Sequence, residues 1–248
     1  MGVTPKMIGV IPARMHSSRF YGKPLAKILG KEMILWVYEN SRQSARVKEI
    51  YVATDHEAIA SFCEKESVPF VMTSPAHKNC SERSNEVSQK VGADLVVEIQ
   101  GDEPILPASE IDAFIDQSLR LPSFDVVLLG AEAPLDEAGN PNVVKMVKDA
   151  AGRLLYFSRS PIPMNFKSKP ARYYKQVGLY LWKAEALKRF SALPVGYLEG
   201  IEDTHTLRLV EQRFDPRIVI TDHPTIGVDI PGDIQKVENY LAAAAVKS

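Results

Sequence analysis

Residue types able to hold a polyphosphate gather near the start of the chain. The segment Gly9–Leu25 reads GVIPARMHSSRFYGKPL, and behind an apolar run it sets Arg14, Ser17, Ser18, Arg19, Gly22 and Lys23. Cations neutralise phosphate oxygens, hydroxyls hydrogen-bond to them, and a glycine lets backbone N–H groups approach closely. The segment has neither the G-x-G-x-x-G pattern of dinucleotide sites nor the G-x-x-x-x-G-K-[ST] of a P-loop, so any phosphate grip rests on side-chain charge. By itself it reads equally as a solvated loop.

Carboxylates supply the second chemistry. QGDEP, Gln100–Pro104, places Asp102 and Glu103 directly behind an apolar run, and IGVDIPGDI places Asp229 in similar surroundings. Carboxylates at strand ends suit a hard dication such as Mg2+, which also takes phosphate oxygens as ligands. Each stretch has a plainer reading: Gly-Asp and Glu-Pro are ordinary turn residues, and Asp before Ile-Pro-Gly is a common helix start. Only together do Asp102 and Asp229 suggest one metal site. Gln100 is placed to orient a polar substrate. Arg83, in HKNCSERSNEV, and His205, three residues before Arg208 in a helical pattern, read alone as a solvated arginine and a surface or capping histidine.

Other chemistries find little support. The histidines at 16, 56, 77, 205 and 223 have no zinc-type spacing, and Cys63 and Cys80 form no motif. No Ser/His/Asp set or cysteine pair for covalent catalysis can be assembled. The favoured chemistry is electrostatic, with cations and a metal gathering phosphates and a substrate hydroxyl as nucleophile.

The elements that must position these residues alternate. MIGVI (7–11), EIYVAT (49–54), DLVVEIQ (94–100) and DVVLLGA (125–131) read as buried strands, with helical spacing between most of them. One helix carries Ile34, Val37 and Tyr38. Another carries Ile111, Phe114, Ile115 and Leu119, with Ser109 as its expected N-cap. This predicts an α/β fold with a largely parallel sheet flanked by helices, whose ligands lie beyond the strands' carboxyl ends. VVKMV (143–147) and LLYF (154–157) predict a hairpin, and VGLYLW (177–182) a further strand. Residues from about 125 to 185 are expected to form a smaller, partly antiparallel lobe of a single domain spanning 1–248. A helix over 202–214, the strand RIVIT (217–221) and a final helix from Gly232 complete the expected fold.

At 248 residues, 45% hydrophobic and 25% charged, with formal net charge -1, the chain has no global field for nucleic acid or an anionic membrane. No apolar run nears the roughly 18 residues of a membrane span. Cysteine usage and the lack of a signal-peptide pattern at the start predict a reducing cytoplasm.

The assembled motifs resemble one family. IPARMHSSRFYGKPLAKILGKEMILWVYE, VATDHEAI, MTSPAHKNCSERSNEV, VVEIQGDEPILP, LLYFSRSPIP, VGLYLW and IGVDIPGDI occur in the order and approximate spacing of the CMP-Kdo synthetases, the 3-deoxy-manno-octulosonate cytidylyltransferases. The resemblance spans nearly the whole chain. It implies a nucleotide-diphospho-sugar-transferase-like fold, usually homodimeric through the smaller lobe. It also implies transfer of CMP from CTP to the anomeric hydroxyl of an acidic sugar, with release of pyrophosphate and use of Mg2+, in lipopolysaccharide or capsule synthesis. Carried over, Ala13, Arg14, Ser17, Arg19, Lys23 and Gln100 would bind CTP, and Asp102 and Asp229 would hold Mg2+. Arg14 and Lys23 would join those two aspartates in catalysis. Arg83, Gln100, Arg159, Gln176 and His205 would face the sugar acid.

The chain departs from the family pattern where the acid binds. Cys80-Ser81-Glu82-Arg83 stands for Gly-Thr-Asp-Arg, Gln176 for a histidine, and His205 and Thr206 for a Glu-Gln pair, while Tyr21 replaces a proline. These changes predict an intact CTP half-site beside an altered acceptor pocket, open to an 8-amino octulosonate, another ulosonate or a phosphonate. Loss of a glutamate argues against a cationic amino sugar unless Glu82 compensates. A metal-dependent glycosyltransferase and a non-catalytic nucleotide-binding protein are the remaining readings.

Overall fold

Short β-branched runs covered on both faces become strands, and the helices between them supply the cover. The computed structural model describes residues 4–17, 19–167 and 172–245, so Ser18 and part of the proline-rich stretch 158–170 lie outside the described residues. The strands are β1 (Met7–Ala13), β2 (Lys27–Ile28), β3 (Lys31–Glu32), β4 (Glu49–Thr54), β5 (Phe70–Met72), β6 (Leu95–Ile99), β7 (Val126–Ala133), β8 (Lys145–Lys148), β9 (Leu154–Ser158), β10 (Tyr173–Lys183) and β11 (Pro216–Thr221). The helices are α1 (Met33–Ser41), α2 (Glu57–Lys65), α3 (Cys80–Val91), α4 (Ala108–Leu119), α5 (Ala184–Ser191), α6 (Tyr197–Glu202), α7 (Leu207–Glu211) and α8 (Asp233–Ala245).

The central sheet runs β11-β7-β10-β6-β1-β4-β5. β4, β6 and β5 are reached through parallel pairings from β1, and β11 pairs parallel with β7, whereas β10 pairs antiparallel with both β6 and β7. One reversed strand thus sits inside an otherwise parallel sheet. Alternation divides the side chains between two cores. Ile11, Val97, Ile99, Leu179 and Leu181 pack with Ile34, Ile59 and Phe114 of α1, α2 and α4. Ile8, Val10, Val96, Tyr180 and Trp182 pack with Val87, Leu187, Phe190 and Leu209 of α3, α5 and α7. α8 closes a third cluster through Val237 and Val228.

The span 125–185 is woven into this sheet. It contributes β7 and β10 to the centre, and the antiparallel hairpin β8–β9 hangs from the first half of β10 through Tyr174 and Lys175. Two local expectations are revised. Pro107, not Ser109, is the N-cap of α4; its fixed φ of -81° suits the entry although it offers no side-chain acceptor. Of the helix expected over 202–214 only α7 forms, with α6 ending at Glu202 before it. Asp203, at φ 46°, terminates α6, and His205 falls in the turn between the two.

The loop before α3 is pinned by its own helix. Asn79 caps α3 by accepting the Glu82 N–H at 2.9 Å, and Glu86 accepts the Ser74 N–H at 2.8 Å and contacts His77 at 2.6 Å and Lys90 at 2.8 Å. Burial alone would raise the Glu86 carboxyl, but Lys90, the Ser74 N–H and His77 outweigh it and bring it to about 2. A carboxylate held below its ordinary value stabilises the fold above about pH 4.5, and that contribution disappears as pH falls toward 2. Glu86→Gln is expected to cost about 2 kcal/mol near neutrality, with the difference from wild type shrinking as denaturant melts are repeated between pH 5 and pH 2.

Candidate active site

The carboxyl ends of β1, β4 and β6 open on one edge, and the bottom-up expectation is that ligands bind there. Two adjoining cavities of about 480 and 330 Å3 occupy it, sharing Arg19, Gln100, Asp102, Arg159 and His205 in their walls. Ala13, Arg14, Ser17, Lys23 and Arg83 line the smaller one, and Gln176 and Asp229 the larger. Every site residue expected from the sequence therefore faces one of these two spaces.

The loop after β1 folds back on itself. Gly22, at φ 73°, donates its N–H to the Met15 carbonyl at 2.9 Å and opens a 3-10 turn over Lys23–Leu25. A side chain is strained at that φ, and glycine accepts it without cost. The turn presents Lys23, whose Nζ lies 2.6 Å from Asp102 Oδ2 and donates to the Val228 carbonyl at 3.0 Å. Arg19 pairs with Asp229 at 3.0 Å and donates to Asn142 Oδ1 at 3.0 Å. Two cations of one loop are thus drawn onto two carboxylates that lie 127 positions apart in the chain.

Asp102, Glu103 and Asp229 repel one another across this edge. Burial raises the Asp229 carboxyl, with Asp102 adding to it and Arg19 and Lys23 opposing. Burial, then Asp102, pushes Glu103 up to about 7, while the Gly178 N–H, donated at 2.9 Å, holds one oxygen. Crowded oxygen donors of this kind are the set a hard dication selects. Glu103 is 8% exposed and its Oε2 has no hydrogen-bond partner among the described residues.

The opposite wall has different chemistry. Gln100 Nε2 donates to Glu98 Oε1 at 2.8 Å and to Cys80 Sγ at 3.0 Å, and Cys80 Sγ lies 3.4 Å from His205 Nε2. Thr206 Oγ1 donates to Gln176 Oε1 at 3.4 Å, and Gln176 in turn bonds the Tyr180 hydroxyl. Burial raises the Cys80 thiol and the Tyr180 phenol, lifts Glu98 well above the carboxylate range and lowers His205. Arg83 is buried and held by Thr73 and by Asp55 at 3.1 Å, and Arg159 is fixed through the Glu202, Asp203 and Pro141 carbonyls. Both are rigid and still reach the smaller cavity.

With the geometry in hand, comparisons with known proteins agree. Residues 8–218 match the family model described as cytidylyltransferase. The chain belongs to the cytidylyltransferase family. It is 38% identical to the 3-deoxy-manno-octulosonate cytidylyltransferase of Acidobacterium capsulatum, covering 95% of this chain and 96% of that one. Identity to the Chlamydia pneumoniae protein of the same name is 41%, over 94% and 93% of the two chains. A solved CMP:2-keto-3-deoxy-manno-octonic acid synthetase complexed with CTP superposes with a TM-score of 0.89 at 36% identity, covering 96% of this chain and 99% of that one. Among the described residues no helix is long and apolar enough to cross a membrane.

The sequence reading passed over Glu98 and named Glu103 only as a carboxylate beside Asp102. For Glu98 the signal was present: an acid within the otherwise apolar run LVVEI, every residue of which is buried. What the sequence did not show for Glu103 is its partner Gly178, which lies on β10, 75 positions away. Gly178 also explains how close the strands lie, since a Cβ there would sit 2.5 Å from Gln100 Cβ and 2.9 Å from Glu103 Cγ. Gly178→Ala is expected to destabilise by about 2 kcal/mol through overpacking and to lower kcat/KM with CTP. Unchanged thermal melts and kinetics would show that β6 and β10 can separate freely.

Proposed function

We propose that the chain transfers CMP from CTP to the anomeric hydroxyl of 3-deoxy-manno-octulosonate or a closely related acidic sugar, releasing pyrophosphate. The observation that carries this reading is the pairing of Lys23 with Asp102 and of Arg19 with Asp229 where the two cavities adjoin. A triphosphate entering there offers Arg14, Arg19, Lys23 and Ser17 new anionic partners, and the two aspartates are then released for a cation. Asp102 and Asp229 are read as the ligands of Mg2+, which when bound supplies charge neutralisation at the phosphates. Lys23 and Arg14 hold the leaving pyrophosphate, and the rigid Arg83 and Arg159 suit an acceptor carboxylate. Positioning and charge do most of the work in such transfers, so no dedicated base is needed among these side chains.

The acceptor wall favours an acid other than an ammonium-bearing one. Glu82 is committed to Arg208 at 3.3 Å and to the Lys78 N–H at 2.8 Å, so it does not offer its charge to a cationic substituent. Met164 and Phe166, 79% and 83% exposed, support association of two copies through the region 125–185. Both cysteines are free thiols, which supports a reducing, cytoplasmic setting.

Pyrophosphate release from CTP is the direct assay, run over a panel containing 3-deoxy-manno-octulosonate, its 8-amino analogue, other ulosonates and small phosphonates. Turnover with an ulosonate and none without acceptor is expected, and silence across the panel would overturn the reading. Asp102→Asn is expected to lower kcat by at least ~100-fold and to flatten the Mg2+ dependence; full activity would remove Asp102 from the metal. In sedimentation experiments, Phe166→Glu is expected to shift a dimer toward monomer.

A further inference from the structure

The wall formed by Cys80, Glu98 and His205 is not used by phosphate chemistry. One ligand atom from each, a thiol sulfur, a carboxylate oxygen and an imidazole nitrogen, lies within 4.8 Å of the other two. The three come from unrelated places: the first turn of α3, the middle of β6 and the turn between α6 and α7. The sequence offered no zinc-type spacing because the donors are brought together only by the fold.

We propose that Cys80, Glu98 and His205 bind a borderline transition-metal dication of the Zn2+ class, at a site separate from that of Asp102 and Asp229. The Cys80–His205 separation of 3.4 Å is close to the roughly 3.5 Å that a sulfur and a nitrogen span on a tetrahedral zinc. Glu98 is fully buried and its Oε2 has no partner among the described residues, although Oε1 accepts from Ser81 at 3.2 Å and Gln100 at 2.8 Å. A buried carboxylate with one unpartnered oxygen, grouped with a thiol and an imidazole, is a donor set that suits such a cation. Charge balances as well, since thiolate and carboxylate together neutralise one dication, the protons held by Cys80 and Glu98 passing to solvent on binding. Thiolate and imidazole select against Mg2+, so the two sites differ in the metal they take. Gln100 acts as a supporting donor, its amide hydrogen-bonding two of the three ligating side chains, Cys80 and Glu98. Three protein ligands leave a fourth position, which opens onto the cavity that Cys80 and His205 line.

The experiment uses the intact protein without substrates, so it does not depend on the identity of the acceptor. Purified protein is dialysed against Mg2+ buffer, assayed for bound zinc, stripped and titrated with Co2+. One tightly bound metal per chain and a near-ultraviolet thiolate-to-cobalt band are expected. The chain has two cysteines, so the band assigns itself: it is lost in Cys80→Ser and kept in Cys63→Ala. His205→Asn and Glu98→Gln are expected to weaken Co2+ binding by roughly 10- to 100-fold, with circular dichroism showing each variant folded. A folded wild-type protein giving no thiolate band, or a band that survives in Cys80→Ser, overturns the proposal.

Discussion

The active edge depends on one electrostatic constraint: Asp102, Glu103 and Asp229 have been brought together, with Glu103 buried and the other two half-buried. Like-charged carboxylates at such a place are tolerated only when cations answer them or a proton stays on. The fold uses both means. Lys23 and Arg19 answer Asp102 and Asp229, while Glu103 is pushed to about 7 and takes the Gly178 N–H. The cations come from the loop behind β1 and the carboxylates from beyond β6 and from the segment before α8, so the pairing also ties three distant parts of the chain together.

Apart from Tyr21, the positions read as departures from the family pattern meet one another in space. Cys80 and Ser81 meet His205, at 3.4 and 3.3 Å, Gln176 meets Thr206, and Glu82 meets Arg208. Changes that pair in this way preserve hydrogen bonding while altering what the wall presents to a ligand. A position that is merely drifting would leave orphaned groups behind. Arg208 shows why the wall can change without collapsing. It is completely buried, held by Glu199 through two contacts of 2.7 Å, and stacks on Phe190 at 4.6 Å, so α6, α7 and α5 are locked together behind the variable side chains.

What could be read from the sequence was what local periodicity and composition carry. The runs 7–11, 49–54 and 94–100 are strands because short β-branched stretches covered on both faces have little alternative. The polar segments that follow them fall on one edge because the sheet is parallel there. The reversed orientation of β10 was not legible, since a strand's direction is set by the connections around it and leaves no mark in VGLYLW. Nor was the break between α6 and α7, where Asp203 adopts a left-handed conformation that composition does not announce. His205 consequently changes from a helix-face residue into a turn residue aimed at Cys80, and its chemistry changes with it.

β10 gives the deeper reason for the two-sided site. Because it runs against β6, its first half reaches the same edge as the carboxyl ends of the parallel strands. There it delivers Lys175, Gln176 and Gly178 without needing a loop to carry them. An irregular register between Gln176 and Tyr180 frees Gly178 from β7 and lets it press against Gln100 and Glu103. Rigid strand positions hold side chains more precisely than loops do. The cations of the other side are carried by the loop behind β1, which presents Arg14, Arg19 and Lys23. The opposite wall is built from strand positions, the start of α3 and the turn between α6 and α7. That division suits an enzyme whose phosphate chemistry is generic and whose second substrate must be recognised by shape.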